Sequence, residues 1–310
     1  LYAATVTEFD PITGAPVCGN IERYMAYLVQ EQACDGAFVN GTSGESMSLS
    51  NQERKDILSA WQGARVKLEL DFKLIAHVGC NSLSEARDLA EHAQRIGADA
   101  IAVMTPNFFK PASASILVEY LAAVASAAPQ TPCLYYHFPA VTGVSIPAAD
   151  IVRLSLASAS FPTFAGMKFT SVDMVDYGNC CSADPDGKLA FLPGYEGQTI
   201  AYLPYHAGRG CYGAVGLLFS VLGTLHKDMS LFAGLHWERA LTADDMKTAL
   251  ELQEECRTFL SFASKYGIFA TVKETLLLKG IIKSAVMRLP QESLSEESVK
   301  RLKVDLETFL

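Results

Sequence analysis

Lys168 lies in the run Phe164-Ala165-Gly166-Met167-Lys168-Phe169-Thr170, which otherwise has the composition of a buried strand. Burial disfavours an ammonium, so an amine in such a strand is pushed toward its neutral form. An ordinary lysine titrates near ~10.4; a fall of ~3 units, about 4 kcal/mol, makes it a nucleophile at neutral pH. Such an amine attacks a ketone and forms a Schiff base. The plain alternative is a lysine at a strand end whose ammonium reaches water. Other polar residues close similar apolar runs. Gly41-Thr42-Ser43-Gly44-Glu45 follows one, Tyr135, Tyr136 and His137 end another, Thr170 follows Lys168, and Gly194, Tyr195 and Glu196 follow a fourth. A lysine nucleophile, a phenol that moves protons and a hydroxyl-rich turn whose N–H groups face a carboxylate form a site for a 2-keto acid. Each has a plainer reading too. Thr42 and Ser43 serve as turn residues, His137 as a hydrogen-bonded structural histidine, and Glu45 as a carboxylate on backbone N–H groups.

The elements that must position these groups alternate along the chain. Strand-like runs fall at 2–9, 36–40, 72–78, 98–104, 132–138, 164–169, 189–192 and 212–219. Helical patterns fall between them, at 21–32, after the capping-box pattern Ser50-Asn51-Gln52-Glu53, at 82–96, at 116–127, from 148, at 174–179, at 198–206 and within 222–233. Continuous apolar strands separated by helices indicate a parallel sheet. Eight such units predict an α/β fold, a (β/α)8 TIM barrel, with a doubly wound open sheet as the competing topology. Patterns at 245–264, 272–284 and 295–309 add C-terminal helices. The chain is therefore expected to form one domain, with the barrel in 1–240 and a helical extension packed on it in 241–310. In such barrels the chemistry sits where strands end and loops begin, which is where the polar residues above fall.

Composition removes several classes. A formal charge of −9 with no Lys/Arg-rich block argues against nucleic acid as a partner. The eight cysteines are scattered and form no C-x-x-C pair, which suits reduced thiols in the cytoplasm better than a disulfide scaffold. The apolar stretches are broken by charge or fall short of a membrane span, and no signal peptide opens the chain as it begins at Leu1. No metal-ligand spacing occurs among the six dispersed histidines, of which only His137 stands at an expected barrel mouth. Gly208-Arg209-Gly210-Cys211-Tyr212-Gly213 formally matches G-x-G-x-x-G but lies between a helix and a strand, the reverse of a dinucleotide-binding context.

Gly41-Thr42-Ser43-Gly44-Glu45, Tyr136-His137-Phe138-Pro139 running on to Thr142-Gly143, and Gly166-Met167-Lys168 together resemble the N-acetylneuraminate lyase / dihydrodipicolinate synthase group of pyruvate-dependent class I aldolases. The resemblance covers nearly the whole chain. It is closest to the animal-type lyases of the group through Val39-Asn40, Tyr135 and Phe161-Pro162-Thr163-Phe164. It implies a (β/α)8 barrel with C-terminal helices, commonly a homotetramer. It makes Lys168 the Schiff-base lysine, Tyr136 the proton-shuttling phenol, and Thr42 and Ser43 the holders of the carboxylate of pyruvate or sialic acid. The synthase branch carries an arginine where this chain has Val141, and a phenol donated across a subunit interface where this chain has Phe108-Phe109. The lyase pattern also fails at places. Gly194 and Tyr195 match, but the Asp-Glu pair that binds the sugar tail is Glu196-Gly197 here, and the serine usual after Gly216 is Leu217. The stretch from Gly194 to Gly213 is also longer than in relatives by roughly one helical turn.

The expected reaction is retro-aldol cleavage of N-acetylneuraminate to N-acetylmannosamine and pyruvate. Lys168 and Tyr136 would do the chemistry, with Ser43 as a proton relay. Thr42, Ser43, Thr170, Gly194 and Glu196 would line the substrate. The protonated imine is the electron sink, so no metal or organic cofactor is called for. An aldolase or dehydratase for another 2-keto-3-deoxy acid accommodates Gly197 and Leu217 better. A silent keto-acid-binding barrel is the remaining alternative.

Overall fold

Eight short parallel strands carry the site: β1 (Tyr2–Ala4), β2 (Gly36–Val39), β3 (Lys73–His77), β4 (Ala100–Met104), β5 (Cys133–His137), β6 (Phe164–Phe169), β7 (Ala190–Pro193) and β8 (Val215–Gly216). They were located in a computed structural model that describes residues 1–206, 213–225, 228 and 242–307. The sheet order is β7-β6-β5-β4-β3-β2-β1-β8. With β1 paired to both β2 and β8, and β7 lying against β8, the sheet curls into a nearly closed TIM barrel rather than an open doubly wound sheet. Side-chain alternation splits the core in two. Ala4, Phe38, Ile75, Ala102, Met104, Leu134, Tyr136, Leu192 and Val215 fill the barrel interior. The opposite faces of the strands pack against the helices in a larger outer layer that contains Trp61, Tyr135, Phe169 and Tyr177.

The helices follow the sequence with local corrections. The Ser50–Glu53 capping box forms, opening the helix Asn51–Lys67, and Ser82 caps Leu83–Ile96. The strand expected at 2–9 stops at Ala4, because the polar run that follows turns its hydroxyls to the neighbouring loop: Thr7 Oγ1 donates to Gly44 O at 2.8 Å. The strand expected at 212–219 is paired only over Val215–Gly216. The helix expected at 272–284 forms as Ile268–Leu278 and stops before Gly280, which takes a left-handed φ of 69°. A helix at Pro139–Thr142, begun by its proline, was not expected. The run 198–206 is a short helix, Thr199–Tyr202, followed by a 3₁₀ turn, Leu203–His206. Of the run 222–233, residues up to 225 are helical; most of the rest, and most of Gly208–Gly213, lie outside the described residues.

The C-terminal helices Ala243–Ser264, Ile268–Leu278 and Glu296–Leu306 close over the barrel. Their firmest tie is Lys273, whose Nζ lies 2.5 Å from Glu45 Oε1 with both side chains fully buried. Glu45 Oε2 also accepts the Arg288 N–H at 2.9 Å. The sequence reading of Glu45 as a carboxylate on backbone N–H groups is thus half of its role.

Candidate active site

Tyr136 and Lys168 are side by side. They pair directly across β5 and β6, and both point into the barrel near its mouth. The Lys168 amine lies 4.1 Å from the centroid of the Phe38 ring and 4.3 Å from that of Tyr136. Among these rings the residue is only 4% exposed. Burial lowers its pKa from 10.5 to about 7, with the Glu196 carboxylate pulling the other way. At neutral pH a large fraction of the amine is therefore free base, which is what carbonyl attack requires. Burial raises the Tyr136 phenol to about 12, while the Thr42 and Thr170 hydroxyls hold it down. The phenol is therefore protonated at neutral pH.

Thr42 and Ser43 sit on the turn after β2. The turn is tight. The Gly44 N–H and Ser46 N–H both reach Gly41 O, and the Glu45 N–H reaches Thr42 O. Two non-glycine residues take left-handed backbone to close it, Asn40 at φ 58° and Glu45 at φ 56°. Asparagine tolerates that region; for Glu45 the conformation costs about 1 kcal/mol or more and is held by its buried bonds to Lys273 and Arg288. The Thr42 hydroxyl lies 3.2 Å from the Tyr136 hydroxyl. Within the described residues the N–H groups of Thr42 and Ser43 have no hydrogen-bond partner. Two free N–H groups and two hydroxyls on one turn are the donors a carboxylate takes.

The other side of the mouth comes from β6 and β7. The Thr170 hydroxyl is buried with no hydrogen bond of good geometry. Gly194 must be glycine: a Cβ there would lie 2.2 Å from Thr170 Oγ1 and 3.1 Å from Lys168 Cε, filling the space beside the amine. Glu196 follows on a 3₁₀ turn, Glu196–Gln198. Its carboxylate is already engaged, with Oε1 accepting the Leu218 N–H at 3.0 Å and packed so closely on Gly216 that a Cβ there would come within 2.5 Å of it. Burial raises its pKa, opposed by that N–H and by Lys168. Gln253 from the C-terminal helix staples the turn, donating to Glu196 O at 3.0 Å and accepting the Ile200 N–H at 3.1 Å. At Gly197 a Cβ would sit 3.1 Å from the Tyr195 ring, and Leu217 is buried.

The seven residues singled out from sequence thus fall on neighbouring loops and strand ends at one end of the barrel. His137 does not join them. It turns to the outer layer, stacks on Phe169 with 5.0 Å between centroids, and meets the Tyr135 hydroxyl at 3.2 Å, which makes it the structural histidine of the two readings. The histidine that does face the interior is His77, the last residue of β3, with its ring edge-on to Tyr136 at 5.6 Å. Sequence reasoning missed it, although it shares its parity with interior Ile75 and ends a strand as the other site residues do.

The chain matches the model of the dihydrodipicolinate synthetase family over residues 1–309 and belongs to that family. Among curated proteins it is 38% identical over 298 residues to the N-acetylneuraminate lyase of Homo sapiens, covering 96% of this chain and 88% of that protein. It is 38% identical over 311 residues to the N-acetylneuraminate lyase of Gallus gallus, covering 100% and 96%. Among solved structures, the Proteus mirabilis N-acetylneuraminate lyase superposes with a TM-score of 0.86 at 27% identity, over 99% of this chain and 97% of the other. The native N-acetylneuraminate lyase (sialic acid aldolase) from Aliivibrio salmonicida gives 0.87 at 26% identity, over 99% and 95%.

Proposed function

We propose that this chain is a carbon–carbon lyase that cleaves N-acetylneuraminate to N-acetylmannosamine and pyruvate through a Schiff base on Lys168. The observation that carries it is the pairing of a buried Lys168, whose lowered pKa leaves a substantial neutral fraction, with a protonated Tyr136 that is in reach of the Thr42 hydroxyl. The full-length likeness to N-acetylneuraminate lyases supports the substrate. The substrate carboxylate lies on the N–H groups and hydroxyls of Thr42 and Ser43. Lys168 attacks the C2 ketone and water leaves as the imine forms. Tyr136 takes the proton of the C4 hydroxyl, with the carboxylate or Ser43 as relay. The C3–C4 bond breaks and its electron pair passes into the protonated imine, giving N-acetylmannosamine and an enamine. Protonation of the enamine at C3 and hydrolysis release pyruvate and regenerate the amine. Thr170, Gly194 and Glu196 line the far side of the bound chain.

The second reading, an aldolase or dehydratase for another 2-keto-3-deoxy acid, is favoured by one observation. The Glu196 carboxylate is bonded to the Leu218 N–H, and its neighbours Gly197 and Leu217 offer no polar side chain to a sugar tail. The protein works as a cytoplasmic homotetramer in this proposal. Phe108 and Phe109, packed edge to face and 76% and 84% exposed, suit a subunit contact. No described cysteine is in a disulfide, which suits a reducing compartment. No helix among the described residues is long and apolar enough to cross a membrane. Residues 241–310 act as an extension of the barrel domain, anchored by Lys273 and Gln253.

Borohydride reduction with pyruvate present tests the covalent step. One pyruvate-derived group per chain is expected, on the peptide containing Lys168. Labelling elsewhere, or labelling that survives Lys168→Ala, would sink the mechanism.

A further inference from the structure

The cation bonded to the turn that receives the carboxylate, Lys273, is already paired with Glu45, and in the proposed reaction Lys168 is committed to the ketone. Yet another cation is buried behind the turn. Arg54, on the helix Asn51–Lys67, is 2% exposed and bonds backbone carbonyls instead of a carboxylate: Nη2 to His77 O at 2.8 Å and Nη1 to Gly79 O at 3.2 Å. The titratable groups facing it from neighbouring elements are His77, Cys80, Tyr120 and Glu85; Glu85, the one acidic group, does not bond it. Burial presses the guanidinium down to about 10, so it remains a cation at neutral pH.

Arg54 is connected to the turn through two residues. Asn40, two positions before Thr42, donates its side-chain amide to the backbone carbonyl of Arg54 at 2.8 Å, a bond the guanidinium takes no part in. The Asn40 carbonyl meets His77 Nδ1 at 2.8 Å. Burial and the Arg54 charge keep His77 well below an ordinary histidine pKa, so its ring is neutral and carries one proton. A carbonyl can only accept, so that proton is on Nδ1. Arg54 Nη2, 3.4 Å from the same nitrogen, therefore makes no hydrogen bond to it. The left-handed residue that starts the turn is thus clamped on both its side chain and its carbonyl. Three buried atoms of this set are left without a partner, Asn40 Oδ1, Arg54 Nε and His77 Nε2. An unmet buried donor or acceptor is costly, and apolar residues of the same shape would avoid that cost. Stability alone does not account for a cation here.

We propose that Arg54 is a positioning residue for the keto acid: its guanidinium holds His77, whose ring in turn holds the Asn40 carbonyl at the start of the Thr42–Ser43 turn, and its buried charge provides the positive potential that draws the substrate carboxylate there. The Lys168 amine, when neutral, supplies none. In a protein interior such a charge is screened little by salt and acts across several ångströms.

The proposal rests on the keto-acid reading, and its test separates the two. Half-saturation of cyanoborohydride trapping on Lys168 is measured with pyruvate and with methyl pyruvate, which has the same ketone and no charge. Absence of trapping with either ligand in the wild-type chain would refute the keto-acid reading itself. Arg54→Gln is expected to raise the pyruvate half-saturation by at least about tenfold while methyl pyruvate shifts far less. Arg54→Lys keeps the charge and should keep the preference for pyruvate. A merely structural role would move both ligands together, and that result, or no shift with either, overturns the proposal. Should Arg54→Gln fail to fold, the wild-type chain and Arg54→Lys decide. Pyruvate must saturate at lower concentration than methyl pyruvate in both, and equal half-saturation in either overturns it.

Discussion

Holding an amine in the barrel interior destabilises the fold, and the size of that effect can be worked out for Lys168. In the unfolded chain the amine keeps its proton up to about pH 10.5, whereas in the folded chain it loses it near 7. Between those values the unfolded state binds more protons, so stability rises with pH across that window and is lowest below it. At pH 7 the penalty is at most about 4 kcal/mol, and by pH 9 it falls to about 2 kcal/mol. Two terms act against removing the lysine. The ammonium form loses its contact with the Phe38 and Tyr136 rings, about 1 kcal/mol. Glu196, whose pKa burial already raises, also loses the nearby positive charge. Lys168→Met, which fills similar space without a charge, should therefore be more stable than the wild type by about 2 kcal/mol at pH 7, with most of the gain gone by pH 9. Urea unfolding of both proteins at the two pH values measures the gap, and trapping with pyruvate verifies that the variant is inactive. A variant no more stable than wild type at pH 7, or a gap that does not narrow by pH 9, would refute a depressed lysine pKa and with it the account of the nucleophile.

Tyr136→Phe keeps the ring that packs on Phe38 and removes only the hydroxyl within reach of Thr42, so turnover should fall roughly 10²–10⁴-fold with the unfolding curve nearly unchanged. Near-normal turnover would leave Tyr136 as a core residue. At the recognition end, steady-state kinetics should give a higher KM for N-acetylneuraminate than for shorter 2-keto-3-deoxy acids, since missing uniform contacts act on KM more than on kcat. A low KM for N-acetylneuraminate would show that other groups bind the tail.

The residues proposed for the chemistry could be picked out because their signals are local. Lys168 and Tyr136 stand in runs of strand composition, and strand ends in a barrel converge whatever lies between them. The order of the eight strands followed for the same reason. What escaped depends on contacts distant in sequence. Nothing near Glu45 announces Lys273, 228 residues away, and nothing near Asn40 announces His77. His137 and His77 show the limit most directly. Both end strands and both are histidines, and only the parity of each strand decides that one packs outward on Phe169 and the other inward beside Tyr136.

The recognition half resists a reading by substitution because its departures from the lyase pattern depend on one another. Glu196 is one methylene longer than the aspartate of the lyase pattern that the sequence resembles, and its carboxylate folds onto the Leu218 N–H over a glycine that leaves space for it. The backbone carbonyl of the same residue is tied to Gln253, which also holds the Ile200 N–H. A glutamate placed at Gly197 would begin with its Cβ 3.1 Å from the Tyr195 ring and 3.4 Å from Leu260, so it requires the turn to move against that staple. Replacing Leu217 by serine would put a hydroxyl where a buried apolar side chain now packs. Restoring the residues of that pattern one at a time would therefore perturb the turn that carries Glu196, and under the proposed function specificity at this end depends on the turn and its Gln253 anchor together rather than on any single side chain there.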